Sequence, residues 1–376
     1  MTPEQLEDMP FDHYARYRLA ADVVLEAAEA LTIAPGRGAP ALHVLDVGGG
    51  PGSLQRFIPG HAVTSTDIRP PNAEWYQTAP DLVLADGADL PFDDGSFDVV
   101  VSLDTLEHVP PDKRRAFVSE AARVAREYVL IVCPCDTPGV ADADTALLRV
   151  VRRRFGEDFE TVGVLREHLQ YGHPNPGAIH QVLSGAGAQV VQFGSGRIDR
   201  WLPMMLQFYE LLLLDHDPAV HAVQRWYNRH LYADDLADPA YRQAFVAQVH
   251  GSRGRVRPAR IEARIRARHP AHTRDDDLFK GLRTTMLQAL EPVVSRQQHQ
   301  LTRLRGEIDA ARKHLADARD RAEDAARRAE AAESEAAAAA DRLEAADAER
   351  DELRAFRDRV IAHPAYRAYR RLRPGG

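Results

Sequence analysis

Cysteine is nearly absent from this chain of 376 residues, with only Cys133 and Cys135 present. Two residues apart, these thiols cannot easily close on each other, which excludes a disulfide framework. Two sulfurs without neighbouring ligands also make a poor zinc site, so no metal is expected. Long apolar runs are missing as well. The longest, Met204 to Leu214, is too short to span a bilayer and contains Glu210. Positive charge is not in excess either: the formal net charge is −8, which argues against nucleic acid as the main partner. Met1 to Met9 are acidic and polar, without the basic and apolar regions of a secretory signal. A cytoplasmic location is therefore expected.

What is present begins at Val44-Leu45-Asp46-Val47-Gly48-Gly49-Gly50-Pro51-Gly52. An apolar run ending in an acid and then a glycine ladder describes a buried strand turning sharply around a ligand. Glycine at 48, 50 and 52 permits positive φ and lets backbone approach that ligand closely. Asp46 discriminates among ligands, because a carboxylate there repels a pyrophosphate but suits an ammonium and a sulfonium. S-adenosyl-L-methionine carries both. His61 to Ile68 reads as a second strand with Asp67 near its end, where an acid accepts ribose hydroxyls. Leu82 to Ala85 gives a third strand, followed by Asp86-Gly87. Phe97 to Val109 gives a β-branched apolar run leading into polar residues, as expected of a strand buried on both faces, and Tyr128 to Cys133 supplies a fifth strand. Between the last two lies a helical pattern, Lys113 to Arg126, with Phe117, Ala121 and Val124 on one face. The alternation predicts a parallel sheet with helices on both faces.

These residues resemble those of class I S-adenosylmethionine-dependent methyltransferases, over about Tyr14 to His250. The resemblance implies a doubly wound α/β fold with a mostly parallel seven-stranded sheet whose last strand, Tyr241 to Val249, is antiparallel. Asp46, Gly48, Gly50 and Gly52 match the D-x-G-x-G-x-G loop, and Ala85 to Phe92 matches the adenine-contacting turn. It implies that Asp67 binds the ribose, Asp86 and Gly87 meet the adenine amino end, Ile68 packs on the adenine face and Asp46 lies near the methionine end. Asp104, at the end of the fourth strand, is counted with these cofactor-binding residues. Gly49, where such loops often carry another small residue, is expected to serve packing.

Displacement at a methyl already activated by sulfur depends first on positioning; a hydroxyl acceptor gains further from a base. His108 is the first catalytic candidate, directly after the fourth strand at the ligand-binding edge. Glu107, His168 and His173 stand in reserve. Acceptor specificity is expected in two insertions, 136–175 and 201–238. The second is rich in aromatics and sits between the final two strands, where it either roofs the site or packs as a helical pair on itself. Gly156 to His173 and Arg200 to Tyr209 resemble, more loosely, methyltransferases of surface-polysaccharide biosynthesis. That resemblance implies a saccharide acceptor, with natural-product methylation as the alternative.

The remainder is organised differently. Residues 251–292 read as a basic linker with a short helix, 293–361 as a long helix and 362–376 as a basic tail, after a domain of 1–250. Leu301, Ile308, Leu315 and Leu343 with Leu304 and Leu353 fall in heptad register, diluted by alanine in the middle. A homo-oligomer through this helix is expected, with a scaffold for partner enzymes as the competing role. The arginines of the linker and tail suggest a peripheral membrane contact.

Overall fold

A computed structural model describes residues 3–31, 40–50, 52–69, 82–213, 217–249, 256–269 and 275–371. Chain order runs α1 (Pro3–Glu7), α2 (Phe11–Ala30), β1 (His43–Val47), α3 (Leu54–Phe57), β2 (Ala62–Asp67), β3 (Leu82–Leu84), β4 (Phe97–Leu103), α4 (Arg114–Val124) and β5 (Ala125–Pro134). It continues through α5 (Val140–Phe155), α6 (Glu160–Tyr171), α7 (Pro176–Gly185), β6 (Gln189–Arg197), α8 (Ile198–Leu213), α9 (Asp217–His230) and β7 (Ala240–Gln248). Then come α10 (Pro258–Arg268), α11 (Asp275–Ala362) and α12 (Pro364–Arg371). The chain divides into two units, 1–294 and 295–376.

In the first unit the seven strands order as β3-β2-β1-β4-β5-β7-β6. Neighbours from β3 to β5 are parallel, and β7 runs antiparallel between β5 and β6. Side chains alternate across the pleat, so each apolar strand feeds two cores. Val44, Val99, Val101, Leu130 and Val246 pack with Leu19 and Val23 of α2 on one face. Leu45, Val100, Val129, Ile131 and Phe245 pack with Phe117 of α4 and Leu183 of α7 on the other. The central strands thus carry no exposed apolar face, which is why they read as continuous runs.

A third core lies over the ligand edge of the sheet. It joins Leu147 of α5, Leu165 of α6, Trp201 and Met204 of α8 and Tyr227 of α9, together with Phe11 and Tyr241. Both insertions expected to hold the acceptor therefore fold into one helical layer.

The short helix of the basic linker is α10, and it belongs to the sheet's core although it lies beyond residue 250. Ile261 and Ile265 are fully buried with the α2 side of the sheet. Its arginines meet acids of α2: Arg264 and Arg268 reach Glu26 at 3.0 and 2.5 Å, and His269 reaches Asp22 at 2.8 Å. These positive charges are spent inside the fold. The arginine-bearing stretches 251–255 and 270–274, and the tail end 372–376, lie outside the described residues.

In the second unit α11 continues as one helix to Ala362. Alanine, arginine and glutamate favour helix intrinsically, and pairs such as Arg303–Glu307 and Arg319–Glu323 at i,i+4 add to it. Leu301, Ile308, Leu315, Leu343 and Leu353 are all exposed.

Ile261→Ala removes a fully buried branched side chain, and a loss of about 2–5 kcal/mol is expected. Near-UV circular dichroism during urea denaturation checks this. An unchanged midpoint would mean that α10 is peripheral to the core.

Candidate active site

The glycine loop leaves β1 at Val47 and is pinned to β2 by the Gly48 and Gly49 N–H groups, which donate to the Thr66 carbonyl at 2.8 and 3.1 Å. The three glycines of the motif, Gly48, Gly50 and Gly52, have φ of +75°, +47° and +69°, values that side chains disfavour. They differ in what a side chain would meet. A Cβ on Gly48 would fall 2.3 Å from the Thr105 methyl carbon, and one on Gly49 2.5 Å from the Asp46 carboxyl carbon. Gly49 serves packing, as expected, and its partner is Asp46 itself. At Gly50 the nearest atom would be an Asp67 oxygen at 4.0 Å. That open cradle beside an acid is where a ligand can approach.

Asp46 is buried with Oδ2 lacking any hydrogen-bond partner. Burial, with repulsion from Asp67 and against attraction by Arg16, pushes its pKa up to about 7. A buried carboxylate short of a donor fits a cationic ligand end. A cavity of about 330 Å³ opens along this edge, lined by Gly48, Asp67, Ile68, Asp86, Gly87 and, at its far side, Asp104 and His108. Ile68 exposes its apolar side chain here. Asp86 accepts from Ala88 N–H at 2.9 Å and from Lys113 Nζ at 2.8 Å, and these bonds hold its carboxyl below the usual range. A Cβ on Gly87 would strike the Phe117 ring at 2.3 Å, so glycine is needed there for packing.

A second cavity, of about 260 Å³, adjoins the first and shares Asp104 and His108 with it. Its walls come from α2, α6, α8 and β7, including Arg16, Thr161, Tyr209 and Arg242. Asp104 sits at a left-handed φ of +49°, and its carboxylate is committed to cations. Arg242 grips it with two bonds of 2.6 Å, and Arg16 adds one of 2.5 Å. Burial opposes ionisation of Asp104, yet the two guanidiniums hold its pKa far below the carboxylate range. Asp12 completes the network, accepting from Arg242 at 2.8 Å and from Trp201 Nε1 at 2.6 Å. Trp201 in turn stacks on Tyr241, with centroids 3.5 Å apart and planes 10° apart. The aromatic roof and the self-packed helical pair expected as alternatives thus coexist.

Glu107 and His108 lie on a single 3₁₀ turn after β4 (Leu106–His108). Glu107 is buried, its Oε2 has no partner, and burial together with Asp104 raises its pKa well above the usual value. His108 Nδ1 lies 2.7 Å from Glu167, and its Nε2 faces Nε2 of His168 at 3.3 Å. Burial and His168 lower the His108 pKa. His168 Nδ1 and His173 Nε2 both donate to Asp144 Oδ2 at 2.9 Å, and the Tyr241 hydroxyl donates to Oδ1 at 2.6 Å. The reserve histidines are thereby joined to the first candidate. Asp144, Glu167, Asp12, Arg16 and Arg242 escaped sequence reasoning. Only Arg242 left a signal, a charged residue inside a strand otherwise buried on both faces.

A sheet of this strand order, parallel but for β7 and with a glycine loop after β1, has the doubly wound architecture that the methyltransferase resemblance implies. Residues 45–133 match the family model of a methyltransferase domain, Methyltransf_11. An uncharacterized methyltransferase of Mycolicibacterium gilvum is 33% identical over 121 residues, 30% of this chain and 47% of that protein. One from Mycobacterium sp. strain JLS is 37% identical over 94 residues, 24% of this chain and 36% of its own. The chain thus spans less than half the length of these curated relatives. Among solved structures, magnesium protoporphyrin IX methyltransferase of Synechocystis is 19% identical with a TM-score of 0.36, covering 63% of this chain and 85% of that one. The YcgJ protein of Bacillus subtilis is 15% identical with a TM-score of 0.35, covering 61% and 97%.

The folded pKa of Asp46 lies above its unfolded value, so its contribution to stability is present at low pH and lost as pH rises toward about 7. Asp46→Asn is therefore expected to raise the melting temperature of the ligand-free protein at pH above this range, with the gain shrinking in acid, while weakening S-adenosylmethionine binding. Calorimetry across pH checks both. A variant that loses stability at every pH would contradict the assignment.

Proposed function

We propose that this protein methylates a hydroxyl group of a small acceptor of the saccharide class, using S-adenosylmethionine. One observation carries the reading: the glycine-loop cavity and the roofed cavity meet at Asp104 and His108. S-adenosylmethionine, when bound, supplies a methyl group on a positive sulfur, which keeps the bonding pair as the new carbon–oxygen bond forms. Asp67 would hold the ribose hydroxyls, Ile68 the adenine face, Asp86 and Gly87 the adenine edge and Asp46 the ammonium end. The acceptor would lie against α6 and α8, within reach of Thr161, Glu160 and Arg242. Polar groups beside Trp201 and Tyr209 suit a ring bearing several hydroxyls. The acceptor's proton would leave toward the His108 side. Fixing the two partners in line supplies most of the acceleration, roughly 7–11 kcal/mol for well-oriented pairs.

His108→Gln is expected to lower turnover about tenfold or more with S-adenosylmethionine affinity unchanged. Radiolabel transfer to fractionated glycans and metabolites, paired with calorimetry, reads both quantities; full turnover would remove His108 from the mechanism.

The helix of the second unit carries a self-complementary heptad row whose leucines and isoleucine are exposed. Its partner on this reading is a second copy of the chain. Replacing Leu315 and Leu343 by aspartate should halve the mass seen by sedimentation equilibrium, and a wild-type protein already monomeric at micromolar concentration would refute the pairing.

A further inference from the structure

We propose that Glu107, His108 and His168 form a site for a divalent transition-metal ion, of the zinc class, at the junction of the two cavities. The argument begins with protons. His108 Nδ1 lies 2.7 Å from Glu167, and His168 Nδ1 lies 2.9 Å from Asp144. A carboxylate only accepts, so each Nδ1 carries the hydrogen. In the neutral rings both Nε2 atoms are then bare lone pairs, and they face each other at 3.3 Å. Two lone pairs at that distance repel unless a cation lies between them.

The spacing identifies the kind of cation. Two nitrogens bound to a tetrahedral zinc, each at about 2.0–2.1 Å, stand about 3.3–3.4 Å apart. The buried Glu107 carboxylate provides the third ligand: one oxygen is 4.0 Å from His168 Nε2 and the other has no partner. The three candidate ligand atoms all lie within 4.8 Å of one another. Two histidines and a glutamate are a donor set known for catalytic zinc, with the fourth position open. Glu107, His108 and His168 all line the roofed cavity, so that position faces the acceptor.

The surrounding shell is built for the same task. Histidine ligands of metals commonly donate their other ring nitrogen to a carboxylate, which fixes ring orientation and raises basicity. Glu167 does this for His108. Asp144 does it for His168 and is itself held by the Tyr241 hydroxyl at 2.6 Å and by His173 at 2.9 Å. This inference deepens the methyl-transfer reading and rests on it only for its chemical use: the ion would orient a hydroxyl acceptor and favour its ionised form.

The test uses the full-length chain, stripped with chelator and titrated with Zn²⁺ by calorimetry and with Co²⁺ by visible absorption. One ion per chain and cobalt bands typical of low coordination number are expected. His168→Ala and Glu107→Gln should abolish the bands, Glu167→Gln should weaken affinity about 10–100-fold, and the exposed His180→Ala should change nothing. Absence of binding by the stripped protein, or binding that survives both His168→Ala and His108→Gln, overturns the proposal and leaves a shared proton between the rings. S-adenosylmethionine affinity is measured on the same samples. Metal binding without cofactor binding would sink the methyl-transfer reading alone, whereas cofactor binding without metal would sink the metal site alone.

Discussion

The grip of Arg242 and Arg16 on Asp104 is the constraint on which the rest of the site depends. It ties the end of β4, the start of β7 and helix α2 into one buried cluster, with Asp12 as the second anion. Two guanidiniums and two carboxylates balance in charge. Desolvating them is costly, and removing one partner of such a cluster costs about 3–5 kcal/mol because the other charge is left alone. Asp104 also holds a left-handed backbone conformation, which a short polar side chain tolerates and which the bidentate Arg242 bond keeps in place. That turn aims the chain so that Glu107 and His108 emerge between the two cavities.

The cavities are made by different means. The glycine-loop side is largely backbone: strand ends, positive-φ glycines, and carboxylates inside the end of β1, at the end of β2 and just after β3. The roofed side is built from side chains of helices that come from separate insertions. Strand ends hold their positions because the sheet is packed on both faces. The roof holds because Trp201, Met204 and Tyr227 make a core of their own. On the proposed reading, acceptor preference can therefore change through the roof without disturbing the sheet.

Much of the first kind was legible in the sequence. β4 and β5 read as apolar runs because both their faces are covered, and Asp46, Asp67 and Asp86 stood near strand ends, Asp46 and Asp86 with glycines close after them. The strong constraint on Gly49 was legible only as packing, since nothing local reveals that Asp46 folds back against it. Asp104 looked like one more strand-end acid, whereas its carboxylate is taken by arginines 88 and 138 residues distant. The linker arginines looked free for phosphate, yet Arg264 and Arg268 of α10 pair with Glu26 of α2. His108 was seen as a candidate, with His168 and His173 as reserve histidines, but not the contact between His108 and His168. Their contact spans 60 residues, and only the docking of α6 against the β4 turn brings them together.

The direction of β7 explains why one strand serves both halves of the roofed cavity. In a wholly parallel sheet each strand offers its last residues to the ligand edge. Because β7 is antiparallel, it offers its first: Arg242 pairs with Pro134 at the end of β5, and Ala240 with Arg197 at the end of β6. Tyr241 and Arg242 meet at this edge, where the Arg242 guanidinium lies over the Tyr241 ring, 5.2 Å from its centroid. Tyr241 stacks under Trp201 and holds Asp144, which orients His168; Arg242 holds Asp104, which positions the turn bearing His108. The two histidines that face each other are thus each held, one step removed, by adjacent residues of a single strand. A one-residue slip of β7 against β5 would displace both anchors at once, and the register running from Tyr128 with Gln248 to Pro134 with Arg242 holds them in place.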